Sequence, residues 1–189
     1  NGLAGVEMAK LGLTAGHPGG HTTVVGGLAV WCRYPPWQSC QTSRDYLMSS
    51  ESTVANPVWI IGSGGHSAVV IAMLQASNIP VAGILDDQVE RLGQRVLGVP
   101  VVGRPSELAP DFAGPAIIAI GRNQVRLRLA ANWPACQWVS VVHPHAWVHE
   151  SVSLGPGSVV CAGAVIQPRA VLGPHCLINT GASVDHDCI

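Results

Sequence analysis

The chain has 189 residues, 48% of them hydrophobic and only 11% charged, and its formal net charge is −1. This composition supplies enough apolar material for a core and argues against a disordered chain. There is no run of Lys or Arg, so we expect no nucleic-acid partner, and no apolar run reaches the roughly 18 residues needed to span a membrane.

Residues 1–56 are rich in Gly, Pro, Ser and Trp and lack sustained periodicity, apart from a strand-like stretch at 22–31. We interpret them as a poorly structured N-terminal extension or a non-native upstream segment, with Met48 fitting a native start. His17 and His21 are four residues apart, but the Pro and Gly residues between them disfavour the helix that would bring both to a metal. We therefore predict no metal site here. The order of a signal peptide is also missing.

The six cysteines show no CxxC pair and no zinc spacing. Reduced thiols in a cytoplasmic protein are the simplest interpretation.

Residues 57–140 alternate buried-type strands with helical patterns, which predicts a small, open, parallel α/β sheet of the Rossmann-like kind. Strands are expected at 58–61, 81–85, 116–120 and 138–142, with a short extended piece within 96–102. A helix over 66–76 should bury a stripe of Val69, Val70, Met73 and Leu74. A second helix should cover 125–131, with Asn123 as its N-cap.

Three turns follow strands of this predicted sheet and should meet at its carboxyl edge. The turn Gly62-Ser63-Gly64-Gly65-His66-Ser67 places backbone N–H groups at a helix N-terminus, which favours an anion or phosphate. Asp86 ends the second strand, where a ribose or base would be met. Gly121-Arg122-Asn123 ends the third. Together they favour a nucleotide-shaped ligand; the alternative is a set of tight turns that bind nothing.

Residues 141–189 repeat with a period of six, which predicts a left-handed parallel β-helix that is incomplete at its C-terminus. An aliphatic residue opens each hexad, and a small residue follows four positions later. The first set is Val142, Val148, Leu154, Val160, Ile166, Leu172, Ile178 and Val184; the second is Ala146, Val152, Ser158, Ala164, Ala170, Cys176, Ala182 and Cys188. Three hexads make one coil, so Gly155-Pro156-Gly157 and Gly173-Pro174 should stack at one corner.

The last hexad contains Asp185-His186-Asp187. A histidine flanked by carboxylates can be held in one tautomer and act as a base, with either acid as its partner. The alternative is a solvated polar corner. His143 and His145 flank Pro144 and suggest a structural junction. His149 and His175 fall at outward, exposed positions, and Cys161 also faces outward.

The motifs Ile60-Ile61-Gly62-Ser63-Gly64-Gly65-His66, Ile84-Leu85-Asp86-Asp87, Ala119-Ile120-Gly121-Arg122-Asn123 and the stretch 178–188 occur in this order. Residues 57–189 resemble the bacterial sugar O-/N-acetyltransferases of the sialic acid and bacillosamine pathways. The resemblance implies an acetyl-CoA-dependent acetyltransferase acting on a nucleotide-linked amino sugar or a sialic acid. It implies no metal.

The resemblance also implies roles for individual residues. Gly64, Gly65, His66, Asp86, Asp87 and Gly121 would bind the substrate. His186 would be the general base, and Asp187 would raise its basicity. A homotrimer would place active sites between neighbouring β-helices.

The chain begins without Met and stops within a repeat, so we expect a fragment that lacks most of the CoA site and has little activity by itself. Two other functions stay open at this point. One is a dinucleotide-binding oxidoreductase domain, although Ser67 stands at the third glycine of that motif. The other is a non-catalytic β-helix module for assembly.

Overall fold

The computed structural model describes residues 56–189 and the backbone of two short strands at 23–25 and 28–30. These two strands, β1 (Thr23–Val25) and β2 (Leu28–Val30), pair as an antiparallel hairpin. The loop containing His17 and His21, the proposed start at Met48, and the rest of 1–55 lie outside the described residues.

The α/β part is a six-stranded sheet in the order β5-β6-β4-β3-β7-β8, parallel except for β5. The strands are β3 (Val58–Ile61), β4 (Val81–Leu85), β5 (Arg95–Val96), β6 (Val99–Gly103), β7 (Pro115–Ile118) and β8 (Gln137–Trp138); the helices are α1 (Gly65–Ala76) and α2 (Asn123–Ala130). Short 3-10 turns cover Val89–Arg91 and Pro105–Glu107. The predicted parallel α/β fold is confirmed.

The sheet reverses its strand order at β3. From β3 the chain passes through α1 to β4 on one side, whereas β7 pairs with β3 on the other side. In open α/β sheets such a reversal leaves a crevice at the carboxyl ends of the two strands, where ligands bind. The turn at 62–66 and the turn at 119–121 are the walls of that crevice.

Helix α1 buries Ser67, Val70, Ile71, Met73 and Leu74. The predicted stripe was wrong in one member, because Val69 is 41% exposed. The helix begins at Gly65, and its buried face follows the spacing of 67, 70, 71 and 74 typical of one helix face, which excludes 69.

Residues 141–189 form stacked parallel coils. Their strands are β9 (Val141–Val142), β10 (Trp147–Val148), β11 (Ser153–Leu154), β12 (Val159–Val160), β13 (Val165–Ile166), β14 (Val171–Leu172), β15 (Leu177–Ile178) and β16 (Ser183–Val184). The three faces are β9-β12-β15, β10-β13-β16 and β11-β14. All eight hexad-opening aliphatic residues join one core cluster, as predicted. The left hand of the coil is inferred from the hexad pattern.

The predicted strand at 138–142 was wrong. Trp138 ends β8 in the α/β sheet, and Val141 begins β9 in the β-helix, so two short strands serve two different sheets. The stretch 138–142 is apolar apart from Ser140 and contains no Gly or Pro, so the sequence pattern did not show this break.

The corners of the β-helix use left-handed backbone at every sixth residue. These residues are Gly157, Gly163, Arg169, His175, Gly181 and Asp187, with φ between 57° and 73°. A Cβ placed on Gly155 would collide with the backbone of Gly173 and Pro174, so the predicted stacking of the two Gly-Pro turns is confirmed. Three of the corner residues are not glycine and adopt a conformation that L-residues rarely take.

One core joins the two parts of the chain. Val70 and Leu74 of α1 share a buried cluster with Val141, Val159 and Cys161 of the β-helix. Cys161 points away from the β-helix axis, as predicted, and α1 and the sheet cover it, leaving 2% of it exposed. The two parts are therefore packed against each other through apolar contacts.

Within the described residues, no helix combines the length and the apolar character that crossing a bilayer requires.

Candidate active site

The glycine turn after β3 is tied to the end of β4 by Asp86. One carboxylate oxygen of Asp86 accepts hydrogen bonds from both the backbone N–H and the hydroxyl of Ser63, each at 2.6 Å. The other oxygen accepts from the backbone N–H of Gln88 at 2.9 Å. Burial opposes ionisation of this carboxyl, but the hydrogen bonds from Ser63 and Gln88 and the charge of Arg91 lower the pKa of Asp86 overall. Asp86 thus carries a fixed negative charge that holds the turn in place.

The glycines of this edge fall into two kinds. Gly62 is required by the fold, because its φ is +101° and a Cβ there would lie 2.8 Å from Cγ1 of Ile120. Gly64, Gly65 and Gly121 have ordinary backbone angles, and a Cβ on any of them would meet nothing within 4 Å. The fold therefore gives no reason for glycine at these three positions, whereas a ligand lying close to the backbone would.

His66 opens the first turn of α1 beside these glycines. Its Nε2 atom is buried and has no hydrogen-bond partner. Burial, followed by the charge of Arg126, lowers the pKa of His66, so the ring is neutral at pH 7. A buried polar atom without a partner is rare and marks a place where a ligand or water completes the bonding.

The predicted substrate residues Gly64, Gly65, His66, Asp86 and Gly121 all lie at the carboxyl ends of β3, β4 and β7, as the sequence indicated. Asp87, the sixth, is exposed next to Asp86. Ser67, at the position of the third glycine of a dinucleotide motif, is fully buried, and its hydroxyl donates to the carbonyl oxygen of Gly64 at 2.6 Å.

A buried arginine, Arg126, lies behind the Gly121 turn and is only 2% exposed. Its guanidinium donates to the carbonyl oxygens of Ile120, Gly121 and His175 and to the side-chain oxygen of Asn123. Asn123 was predicted to cap α2, and this was wrong: Arg122 is the N-cap, and the Asn123 side chain accepts from Arg126 instead.

At the far end of the β-helix, His186 and Asp187 form a pair. Nδ1 of His186 lies 2.6 Å from Oδ2 of Asp187. Of the two acids left open by the sequence, Asp187 is therefore the partner, and Asp185 is exposed without this contact. With Nδ1 so engaged, Nε2 of His186 is the nitrogen that remains to accept a proton.

Arg169 holds Asp187 from the coil before. Its Nε and one terminal nitrogen bind the two carboxylate oxygens of Asp187 at 2.6 and 2.7 Å. The backbone N–H of Arg169 donates in turn to the hydroxyl of Ser151, another eighteen residues back. The hydrogen bonds from Arg169 and then His186 lower the pKa of Asp187, so the pair contains a permanent carboxylate.

His175 is buried, contrary to the prediction that it is exposed. Only 6% of it is accessible, and its ring packs edge-on against Trp138 at a centroid distance of 5.2 Å. It also lies directly over Gly157, where a Cβ would collide with the ring. The outward hexad position becomes an internal one because the α/β sheet packs against this corner of the β-helix.

Within residues 56–189, no hydrogen bond or ion pair connects the His186–Asp187 pair to the sheet-edge residues. The predicted catalytic and substrate-binding residues thus form two separate groups in one chain. In the same residues, no group of three or more His, Cys, Asp and Glu side chains is arranged to hold a metal ion.

Two functional candidates, Arg126 and Arg169, were not predicted from the sequence. Arg126 looked like an ordinary polar residue of a helix. Arg169 had a usable signal, because it stands eighteen residues before Asp187 and so one coil below it. The eighteen-residue coil would have placed the two side chains together.

Comparison with known proteins finds one matching family model, sequence relatives and similar solved structures. The family model of the PglD N-terminal domain matches residues 57–133. UDP-N-acetylbacillosamine N-acetyltransferase of Bacillus subtilis is 37% identical over 112 residues, which are 56% of this chain and 51% of that protein. An uncharacterized protein of Acanthamoeba polyphaga mimivirus is 29% identical over 66% of this chain and 25% of its own length. The chain thus spans from a quarter to about half of these relatives.

Two solved structures are similar. A His-to-Ala variant of GDP-perosamine N-acetyltransferase from Caulobacter crescentus, in complex with CoA and GDP-perosamine, has a TM-score of 0.63 at 40% identity, covering 70% of this chain and 64% of that one. The acetyltransferase domain of PglB from Neisseria gonorrhoeae, in complex with acetyl coenzyme A, has a TM-score of 0.62 at 34% identity, covering 71% and 66%. The domain match, the sequence relatives and the structural neighbours support the resemblance of this chain to the bacterial sugar acetyltransferases.

Proposed function

We propose that the protein transfers the acetyl group of acetyl-CoA to the amino group of a nucleotide-linked sugar. The observation that carries this proposal is the hydrogen-bonded pair of His186 and Asp187 on a β-helix that packs against helix α1 of the parallel sheet. The relatives with named activities are N-acetyltransferases, which favours nitrogen over oxygen as the acceptor atom and a nucleotide-linked amino sugar over a sialic acid.

The sugar half of the site is the edge formed by Gly64, Gly65, His66, Asp86 and Gly121. Backbone N–H groups at the start of α1 favour an anionic diphosphate. The open space over the three glycines supports a close approach of that ligand to the backbone. The unpartnered Nε2 of His66 supplies one neutral hydrogen-bonding group to the sugar nucleotide. Asp87, which is exposed, is the least supported member of the set.

The chemistry assigned to His186 is general base catalysis. The sugar amine attacks the thioester carbonyl carbon, a C–N bond forms, and the C–S bond breaks to release the CoA thiolate. The proton lost by the amine passes to Nε2 of His186, because Nδ1 faces Asp187. The carboxylate of Asp187 stabilises the imidazolium that forms, and a base positioned in this way contributes roughly 10²–10⁴-fold.

A homotrimer is part of the proposal. The His186–Asp187 pair lies on an exposed corner of the β-helix and, within residues 56–189, has no bond to the sheet edge. A neighbouring copy supplies the second wall of a closed site, with acetyl-CoA bound along the coils. Size-exclusion chromatography with light scattering measures this state directly, and a strictly monomeric active enzyme contradicts it.

The decisive assay uses the protein encoded by the complete gene. UDP- and GDP-linked amino sugars and free sialic acid are each incubated with acetyl-CoA, and both thiol release and the acetylated product are measured. His186→Ala should lower kcat by about 10²–10⁴-fold with little change in the KM of the nucleotide sugar. His145→Ala, which removes another exposed histidine of the β-helix, is the matched control and should act like the wild type.

The turnover of His186→Ala and a separate measurement of NADH binding test the two other functions. Unchanged turnover in His186→Ala would leave the β-helix as an assembly module. NADH binding is measured by fluorescence titration. Tight binding of NADH, without binding of the nucleotide sugar, would favour the oxidoreductase. The buried Ser67 hydroxyl, bonded to the turn itself, speaks against that alternative because it occupies the place where a dinucleotide motif has its third glycine.

A further inference from the structure

Arg126 donates hydrogen bonds to carbonyl oxygens of two segments that are far apart in the sequence. Nε and one terminal nitrogen both donate to the carbonyl oxygen of His175, at 3.0 and 2.8 Å. The other terminal nitrogen donates to the carbonyl oxygens of Ile120 and Gly121, at 2.8 and 3.2 Å. One guanidinium therefore joins the turn after β7 to a corner of the β-helix that lies forty-nine residues beyond Arg126.

These carbonyl oxygens depend on Arg126. Among the backbone hydrogen bonds of residues 56–189, no N–H donates to the carbonyl of Ile120, Gly121 or His175. His175 is in the left-handed corner conformation, with φ of 57°. Loss of the guanidinium would leave the buried carbonyl of His175 unsatisfied, which is costly, and would release the partly exposed carbonyls of Ile120 and Gly121.

A residue whose only role was to fill space at this position would not need to be an arginine. Every oxygen that Arg126 contacts is neutral, so its charge is buried without a carboxylate. Buried charges are expensive, and apolar residues of similar volume often replace them without loss of stability. The feature that an apolar residue or a lysine cannot reproduce is the planar fork, which reaches acceptors in two directions at once.

The guanidinium of Arg126 links the sheet edge to one corner of the β-helix. On one side it fixes Gly121, a predicted substrate-binding glycine that no side chain crowds. On the other side it fixes the corner at His175, whose ring packs on Trp138 of β8. The charge of Arg126 also contributes to keeping His66 and His175 neutral, which places both rings within its electrostatic reach.

We propose that Arg126 is a positioning residue that locks the Gly121 turn to the His175 corner of the β-helix and so fixes where the nucleotide sugar lies relative to the coils. This inference rests on the proposed function. It assigns Arg126 no contact with the substrate, and its effect passes through the backbone of Gly121.

The first test is independent of catalysis. Hydrogen exchange followed by mass spectrometry is compared between the wild type and Arg126→Lys, with Arg128→Lys, an exposed arginine of the same helix, as the matched control. We expect peptides covering 119–123 and 173–177 to lose protection together, by at least tenfold in exchange rate, in Arg126→Lys only. Loss of protection in one peptide alone, or in neither, overturns the lock.

The second test uses steady-state kinetics at a temperature where both variants are fully folded. In Arg126→Lys the KM of the nucleotide sugar should rise at least tenfold, while the KM of acetyl-CoA stays within twofold. Equal increases in both, or no increase in either, overturn the positioning role. If the wild type itself transfers no acetyl group, the proposed function fails, and the exchange experiment still decides whether Arg126 couples the two segments.

Discussion

Arg169 and Asp187 are one β-helix coil apart, and the guanidinium of the first binds both carboxylate oxygens of the second. The same carboxylate contacts His186 at 2.6 Å. Asp187 therefore stands between a permanent cation below and a histidine beside it. Both Arg169 and Asp187 adopt left-handed corner backbone, which directs the two side chains from equivalent positions of successive coils.

This geometry predicts a modest role for Arg169 in turnover. Arg169→Ala should lower kcat by no more than about fivefold, because ion pairs exposed to solvent contribute little. The KM of the nucleotide sugar should not change. Asp187→Ala, which also removes the contact with His186, should lower kcat further. Kinetics on the complete protein measures both, and an Arg169→Ala variant less active than Asp187→Ala would contradict this order.

The glycines of the sheet edge give a matched pair of substitutions. Gly65→Ala adds a helix-favouring side chain into open space at the start of α1, so the free energy of unfolding should rise or stay level, by up to about 1 kcal/mol. Binding of the nucleotide sugar should nonetheless weaken by at least about tenfold, which a loss of about 1.4 kcal/mol produces. Urea denaturation and titration calorimetry separate the two effects.

Gly62→Ala is the control at a glycine that the fold itself requires. The φ of +101° and the close approach of Ile120 predict a loss of about 1–3 kcal/mol of stability. If Gly65→Ala instead unfolds the protein and leaves nucleotide-sugar binding intact, the glycine edge is structural and not a binding surface.

His175 predicts a dependence of stability on pH. Burial, followed by the charge of Arg126, lowers the pKa of His175 from 6.5 to about 4. The unfolded chain therefore binds a proton more readily than the folded one between pH 6.5 and about 4, and stability falls as the pH falls through that window. The loss attributable to His175 between pH 7 and pH 5 should be about 2 kcal/mol.

His175→Asn provides the control for this dependence, because asparagine tolerates the left-handed backbone and does not titrate. Urea denaturation at pH 7 and pH 5 should show a smaller loss in this variant than in the wild type. An equal loss in both would assign the acid sensitivity to other groups, with His66 the next candidate, since its pKa is lowered by the same two causes.

Ser158 predicts a cost for losing one buried hydroxyl. It is fully buried at a small hexad position, where Oγ donates to the carbonyl oxygen of Gly173 and accepts from the N–H of Cys176. Ser158→Ala leaves that N–H unsatisfied and should cost about 1–3 kcal/mol. Ser153→Ala, on a face of the coil, should stay within about 0.5 kcal/mol. Equal free energies of unfolding for the two variants would contradict this stabilising role of the Ser158 hydroxyl.

The sequence by itself determined the features that depend on local periodicity. The period of six set the coils, because an aliphatic residue must fill the middle of each face wherever the chain bends in a triangle. The apolar runs set β3, β4 and β7, and the turns that follow them place Gly64, Asp86 and Gly121 at one edge, since parallel strands end on the same side.

The tertiary structure decided what happens where the two repeating parts meet. His175 was predicted to be exposed, and the outward position of Cys161 did not reveal its burial, because hexad spacing distinguishes only the inside of the coil from the outside and does not show what packs on the outside. The buried role of Arg126 depends on a carbonyl forty-nine residues away, which no local pattern contains. Contacts between distant segments come from the docking of two cores, and that docking settled the surroundings of these three residues.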